Sequence, residues 1–160
     1  MLGIKIICLG KMREKHFSQA FEEYRKRLSS SVKLTVEELA EARLGDSPAE
    51  KEIASALERE AAAILRAVPN GAYTIALCVE GELWSSEEFA HMMNSCAVGG
   101  ESRLCFIIGS SFGLADGVKR RCDRKLSLSS MTFPHQLARV LLIEQIYRGV
   151  TIIGGGKYNK

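Results

Sequence analysis

Two stretches, AYTIALCVEG at residues 72–81 and SRLCFIIGS at residues 102–110, are apolar at nearly every position, and each runs up to a glycine, Gly81 or Gly109. A half-buried strand alternates apolar and polar residues. A run without alternation needs cover on both faces, as central strands of a parallel sheet have. Strand-like and helix-like segments alternate along the rest of the chain, which predicts βα units about a mainly parallel sheet, an α/β fold flanked by helices. Strands are expected near 3–9, 32–38, 72–79, 103–109 and 126–128, and helices near 15–28, 48–67, 85–97, 115–122 and 135–150. At 160 residues, with no repeat or linker, the chain reads as a single domain, 1–160.

The first helix carries Phe17, Ala20, Phe21, Tyr24 and Leu28 at i, i+3, i+4, i+7 spacing, a stripe that covers a sheet. Ser47 and Pro48 stand where an N-cap and a first helical residue would start the second helix. With 46% apolar and 26% charged residues the composition is that of a globular protein. No apolar run approaches the ~20 residues a membrane helix requires. The opening MLGIKIICLGK alternates as a strand does and has no cleavage pattern, so no secretory signal is expected and the protein is placed in the cytoplasm. Five cysteines, Cys8, Cys78, Cys96, Cys105 and Cys122, lack CxxC spacing and read as free thiols, with neither disulfides nor a metal. The net charge of +3 decides little, but KRRCDRK at 119–125 sets five cations against one acid. It reads either as a phosphate-contacting patch or as a solvated helix face.

Ligands of open α/β sheets gather at the carboxyl ends of strands, so residues 77–81 and 109–113 are the first places to look for a site. The turn IIGSSFGL, with Gly109, Ser110 and Gly113, allows close backbone approach to a ligand, or is a plain turn; it is neither a dinucleotide fingerprint nor a P-loop. In LSLSSMTFPHQLARVLLIEQIYRG a short strand runs through Ser129, Ser130, Met131, Thr132 and Phe133 to Pro134, which opens a helix apolar on almost every face over 137–147. Such a helix needs cover all round, and in so small a domain a second subunit is expected to supply part of it, with Ile143 in the interface. Glu144 and Arg148 stand at the favourable i, i+4 spacing for an ion pair, whereas Arg139, one turn beyond His135, is expected to reach a bound anion. His135, at a helix start where the dipole disfavours its charged form, suits a proton-accepting role or simply caps its loop. The tail GGGKYNK reads as a frayed end or as an arm whose Tyr158 stacks on a base while Lys157 and Lys160 meet phosphates.

Taken together, the opening strand with LGKMREK, the helix ending EYRKRL, the IIGSSFGL turn, the block from Met131 to Arg148 and the tyrosine-bearing tail resemble the ribosomal RNA large-subunit methyltransferase H family of the knotted SPOUT class. The resemblance spans essentially the whole chain. It implies a C-terminal deep trefoil knot and a homodimer that moves a methyl group from S-adenosyl-L-methionine to N3 of a pseudouridine in helix 69 of 23S rRNA, on assembled ribosomes. By position, the cofactor pocket would use Leu77, Gly109, Ser110, Gly113 and Ser129, Ser130, Met131, Thr132, Phe133 and Pro134. His135, Arg139 and Tyr158 would serve catalysis, and Arg148, Lys157, Tyr158, Asn159 and Lys160 the RNA. No metal is implied.

Where the family usually has Gly-Gly and Tyr-His, this chain has Gly109-Ser110 and Tyr158-Asn159. The rival reading is therefore a knotted dimer that binds rRNA or the cofactor without transferring methyl groups. A cysteine-histidine hydrolase fails, because the cysteines lie in strand interiors and none stands on an exposed turn beside His135.

Overall fold

A computed structural model describes residues 1–158. The elements are β1 (Leu2–Leu9), α1 (Lys15–Leu28), β2 (Val32–Leu39), α2 (Glu50–Ala67), β3 (Tyr73–Leu83), α3 (Ser86–Val98), β4 (Arg103–Ile108), α4 (Asp116–Arg121), β5 (Arg124–Ser127) and α5 (His135–Ile153). All strand pairs are parallel, in the order β2-β1-β4-β3-β5. The continuous apolar runs are indeed interior. Ile75, Ala76, Cys105, Phe106 and Ile107 have no exposed surface, because helices cover both sides of the sheet.

On one face α1, α3 and α5 pack Phe21, Leu28, Phe89, Met93, Leu142, Ile143 and Ile146 onto Ile4, Ile6, Ile75 and Phe106. On the other, α2 and α4 place Ala61, Ile64, Leu114 and Val118 on Ile7, Leu9, Ala76 and Ile107. Successive helices thus alternate between faces, up to the last, α5, which returns to the face of α3. The start of α3 is fixed locally by a capping box. The Glu88 amide donates to Ser85 Oγ (3.1 Å) and the Ser85 amide to Glu88 Oε2 (2.6 Å).

Three expectations need correction. The helix expected at 48 starts at Glu50, with Ala49 as N-cap and no side-chain cap; Glu50 and Glu52 complement its dipole in place of Ser47. β3 runs on to Leu83, because Gly81 is a crossing point and not a stop. Leu126 is register partner to Leu77 and again to Glu82, so residues 78–81 bulge across the β5 backbone. Finally, Ile143 is fully buried inside the protomer, since α5 lies in a trough between α1 and α3 and turns Leu142, Ile143 and Ile146 to the sheet. It cannot sit in a subunit interface.

A Cβ on Gly81 would stand 2.7 Å from the carbonyl carbon and 2.8 Å from the amide nitrogen of Leu126. Backbone atoms of a buried strand have nowhere to go, so Gly81→Ala is expected to destabilise the fold by about 1–3 kcal/mol. Urea unfolding of the two proteins measures it.

Candidate active site

At the carboxyl end of the sheet, Leu77, Cys78 and Val79 of β3 face residues 126–133 and Ala138 across a slot of about 100 Å³. Its walls are mostly hydrocarbon: Leu77, Leu126, Leu128, Met131 and Phe133. Its loop is held by its own serines, Ser127 Oγ donating to the Ser129 carbonyl (2.8 Å) and the Met131 amide to Ser129 Oγ (3.0 Å). Met131 is 73% exposed, so one wall is a flexible thioether open to whatever enters. The slot has room for a flat heterocycle, not for a whole nucleoside-linked amino acid. Of the residues named for a cofactor, Leu77, Ser129, Met131, Thr132 and Phe133 line it, while Ser130 and Pro134 are exposed on the same loop.

Gly109, Ser110 and Gly113 do not line the slot. They follow Ile108, the partner of Leu77, and close a tight turn in which the Gly113 amide donates to the Ser110 carbonyl (2.8 Å). A Cβ on Gly109 would lie 2.3 Å from the Gly113 oxygen, and Gly113 has φ +83°, so both glycines serve the turn itself. Ser110 points the other way, its buried hydroxyl donating to Glu60 Oε1 on α2 (3.0 Å). The second oxygen of Glu60 accepts the Ala42 amide (2.9 Å), so one buried carboxylate ties this turn to the β2–α2 loop. Sequence reasoning passed over Glu60, which looks like one more acid on an amphipathic helix.

Arg139 does not meet an anion from solvent. It is 2% exposed, and its Nη1 pairs with Glu38 Oε2 (2.7 Å) while Nη2 donates to the carbonyls of Leu9 (3.0 Å) and Gly10 (2.7 Å). It positions the β1–α1 loop. Gln136 does the same next door, its Oε1 accepting the amides of Arg13 and Glu14, both at 3.0 Å. Contacts spanning 101 to 130 residues leave no local trace in a sequence. His135 opens α5 with its Nδ1 buried and without a hydrogen-bond partner, an orphan that a bound polar group would satisfy.

Arg148 pairs with Glu144 as the spacing foretold (2.6 Å). Tyr158 then folds back on the body of the protein. Its ring lies against Arg148 (4.6 Å) and edge-on to Tyr147 (4.9 Å), and its hydroxyl donates to Glu144 Oε1 (3.3 Å) within reach of Tyr24 (3.5 Å). These contacts replace the free arm expected from three glycines. The hydrogen bond with Tyr24, burial and the Glu144 charge push its phenol up to about 12, so at neutral pH it keeps its proton. Lys157 is exposed; Asn159 and Lys160 lie outside the described residues.

Burial disfavours the thiolate at all five cysteines. Burial pushes Cys8 and Cys105 up to about 12 and Cys96 to about 11, and it also raises Cys78, which lines the slot. The basic run 119–125 is partly spent on acids, Lys119 on Glu80 and Arg124 on Glu82 (2.7 Å). A hollow of about 830 Å³ between Trp84, His91 and Arg124 lies along α3; its Arg124 is stacked on Trp84 and paired with Glu82. Among the described residues no group of three or more His, Cys, Asp or Glu could hold a metal, and no helix is long and apolar enough to cross a membrane.

The family model described as "Predicted SPOUT methyltransferase" matches residues 2–159. Proteins named ribosomal RNA large subunit methyltransferase H align over 159 residues, 99% of this chain and the whole of each relative. Identity is 42% for that of Clostridium botulinum (strain Eklund 17B / Type B), 41% for Bacillus pumilus and 43% for Clostridioides difficile. The chain belongs to the methyltransferase H family of SPOUT methyltransferases. Membership of the SPOUT class implies a trefoil knot.

Proposed function

We propose that this chain is an S-adenosyl-L-methionine-dependent methyltransferase of large-subunit rRNA, acting as a homodimer on assembled ribosomes in the cytoplasm, at N3 of a pseudouridine in helix 69. The alignment over 99% of the chain with relatives bearing the methyltransferase H name carries the reading. The slot suits the adenine end of the cofactor: apolar walls for the purine faces and a serine-braced backbone for its edge. When bound, the cofactor supplies a methyl group on a positively charged sulfur.

The protein's own work is alignment, since an in-line displacement by a ring nitrogen needs no covalent intermediate. It must also receive the proton of N3. Tyr158, a protonated donor held by Glu144, serves orientation; the unpartnered Nδ1 of His135 supports that residue as the acceptor. Support for a dimer comes from the slot itself, where Val79 and Met131 are exposed.

Ser110 gives the non-catalytic reading no support, because its side chain is committed to Glu60 and leaves the slot untouched. That reading now rests on Asn159, an amide that is no base near neutral pH. Mass analysis of helix 69 nucleosides from cells with and without the gene tests the function: the methylated nucleoside should vanish in the deletion and return with the wild-type gene. Return only with Asn159→His would favour the binding module.

A further inference from the structure

Beside the slot lies a cleft of about 1000 Å³ that shares His135 with the chemistry above and whose other walls that chemistry does not use. It opens where the topology parts the chain: β1 leads to α1 on one face of the sheet, while its neighbour β2 leads to α2 on the other. Lys11 and Arg13 enter from the β1–α1 loop, Arg43 from the β2–α2 loop, Phe112 from the turn at 109–113, and His135 and Gln136 from the start of α5. The three cations are exposed and form no ion pair among the described residues. Of the acids there, Glu38 is neutralised by Arg139, leaving Glu41 alone against three positive charges. Phe112 leaves 47% of its surface in water on the turn next to the cofactor loops.

The walls are stiff. Arg139 pins the carbonyls of Leu9 and Gly10, Gln136 the amides of Arg13 and Glu14, and Glu60 the amide of Ala42. A rigid groove with excess positive charge and an exposed aromatic ring suits a single-stranded nucleic acid, whose phosphates follow the cations while a base stacks on the ring. The cofactor, by contrast, offers one carboxylate, too little to use three separated cations. We propose that this cleft seats the RNA strand flanking the methylated nucleotide, with phosphates at Lys11, Arg13 and Arg43 and an unstacked base on Phe112. The proposal rests on the reading of the chain as an rRNA methyltransferase.

Methyl transfer from labelled S-adenosyl-L-methionine to ribosomes from a strain lacking the gene, followed at several salt concentrations, tests it. Arg13→Gln and Arg43→Gln should each raise KM for ribosomes several-fold and flatten the dependence of log KM on log salt by about 0.7, the value of one lost single-strand phosphate contact. Phe112→Ala should raise KM at least about fivefold with the salt slope unchanged, because stacking releases no counterions. Lys33→Glu, at the opposite end of β2, should behave as wild type. Calorimetric affinity for S-adenosylhomocysteine should stay the same throughout. An active wild type whose cleft variants keep its KM and slope overturns the cleft while leaving the methyltransferase reading intact. A loss of cofactor affinity in place of the KM effect assigns the cleft to the cofactor and likewise overturns it. A wild type that methylates no ribosome overturns the function and the proposal together.

Discussion

Ile143→Lys is expected to leave no folded protomer. The side chain has no exposed surface and packs with Leu142 and Ile146 on the sheet face built from Ile75 and Phe106. Lysine there loses the burial of a branched hydrocarbon and brings an ammonium into an apolar cluster, costing more than about 4 kcal/mol of a total that for such domains is about 5–15 kcal/mol. Ile143→Val, by comparison, should cost about 0.5–1.5 kcal/mol. Circular dichroism and thermal unfolding separate the two, and a cooperative Ile143→Lys transition within a few degrees of wild type would contradict the placement of α5. Leu141 is the better probe of a dimer, being only half-buried, on the side of α5 away from the sheet. Leu141→Lys should keep the helical spectrum and shift the oligomeric state.

Arg139→Ala is the other change expected to be severe, at about 2–4 kcal/mol. Removing the guanidinium takes away the donors to two carbonyls, Leu9 and Gly10, and leaves a large hole at the head of α5. The cost falls towards the lower part of the range for broken buried ion pairs, because Glu38 is 37% exposed and water can replace its partner. Lysine is no substitute, since a single ammonium cannot span Glu38 and both carbonyls as the planar fork does. Hydrogen exchange should localise the damage: amides of residues 9–14 should lose protection before those of β3 and β4. Uniform loss, or none, would mean that Arg139 does not hold the loop.

Much of the fold was legible because its signals are local. Strand and helix periodicities and the apolar runs of β3 and β4 act within a few residues of one another. The strand-end rule pointed to Leu77, which lines the slot, and to residues 109–113, which do not; Ser129, Met131 and Phe133 were set beside Leu77 by the family resemblance.

What the chain alone determined is therefore the α/β class, the parallel sheet and the loops at its carboxyl end. What only the tertiary structure decided is how distant polar groups are spent: Arg139 on the β1–α1 loop, Glu60 between two loops, Tyr158 on Glu144, and Gly81 against the β5 backbone. A side chain's charge is written in the sequence, but its partner is set by which elements pack together, and an arginine that could bind an anion looks the same as one whose donors already serve its own fold.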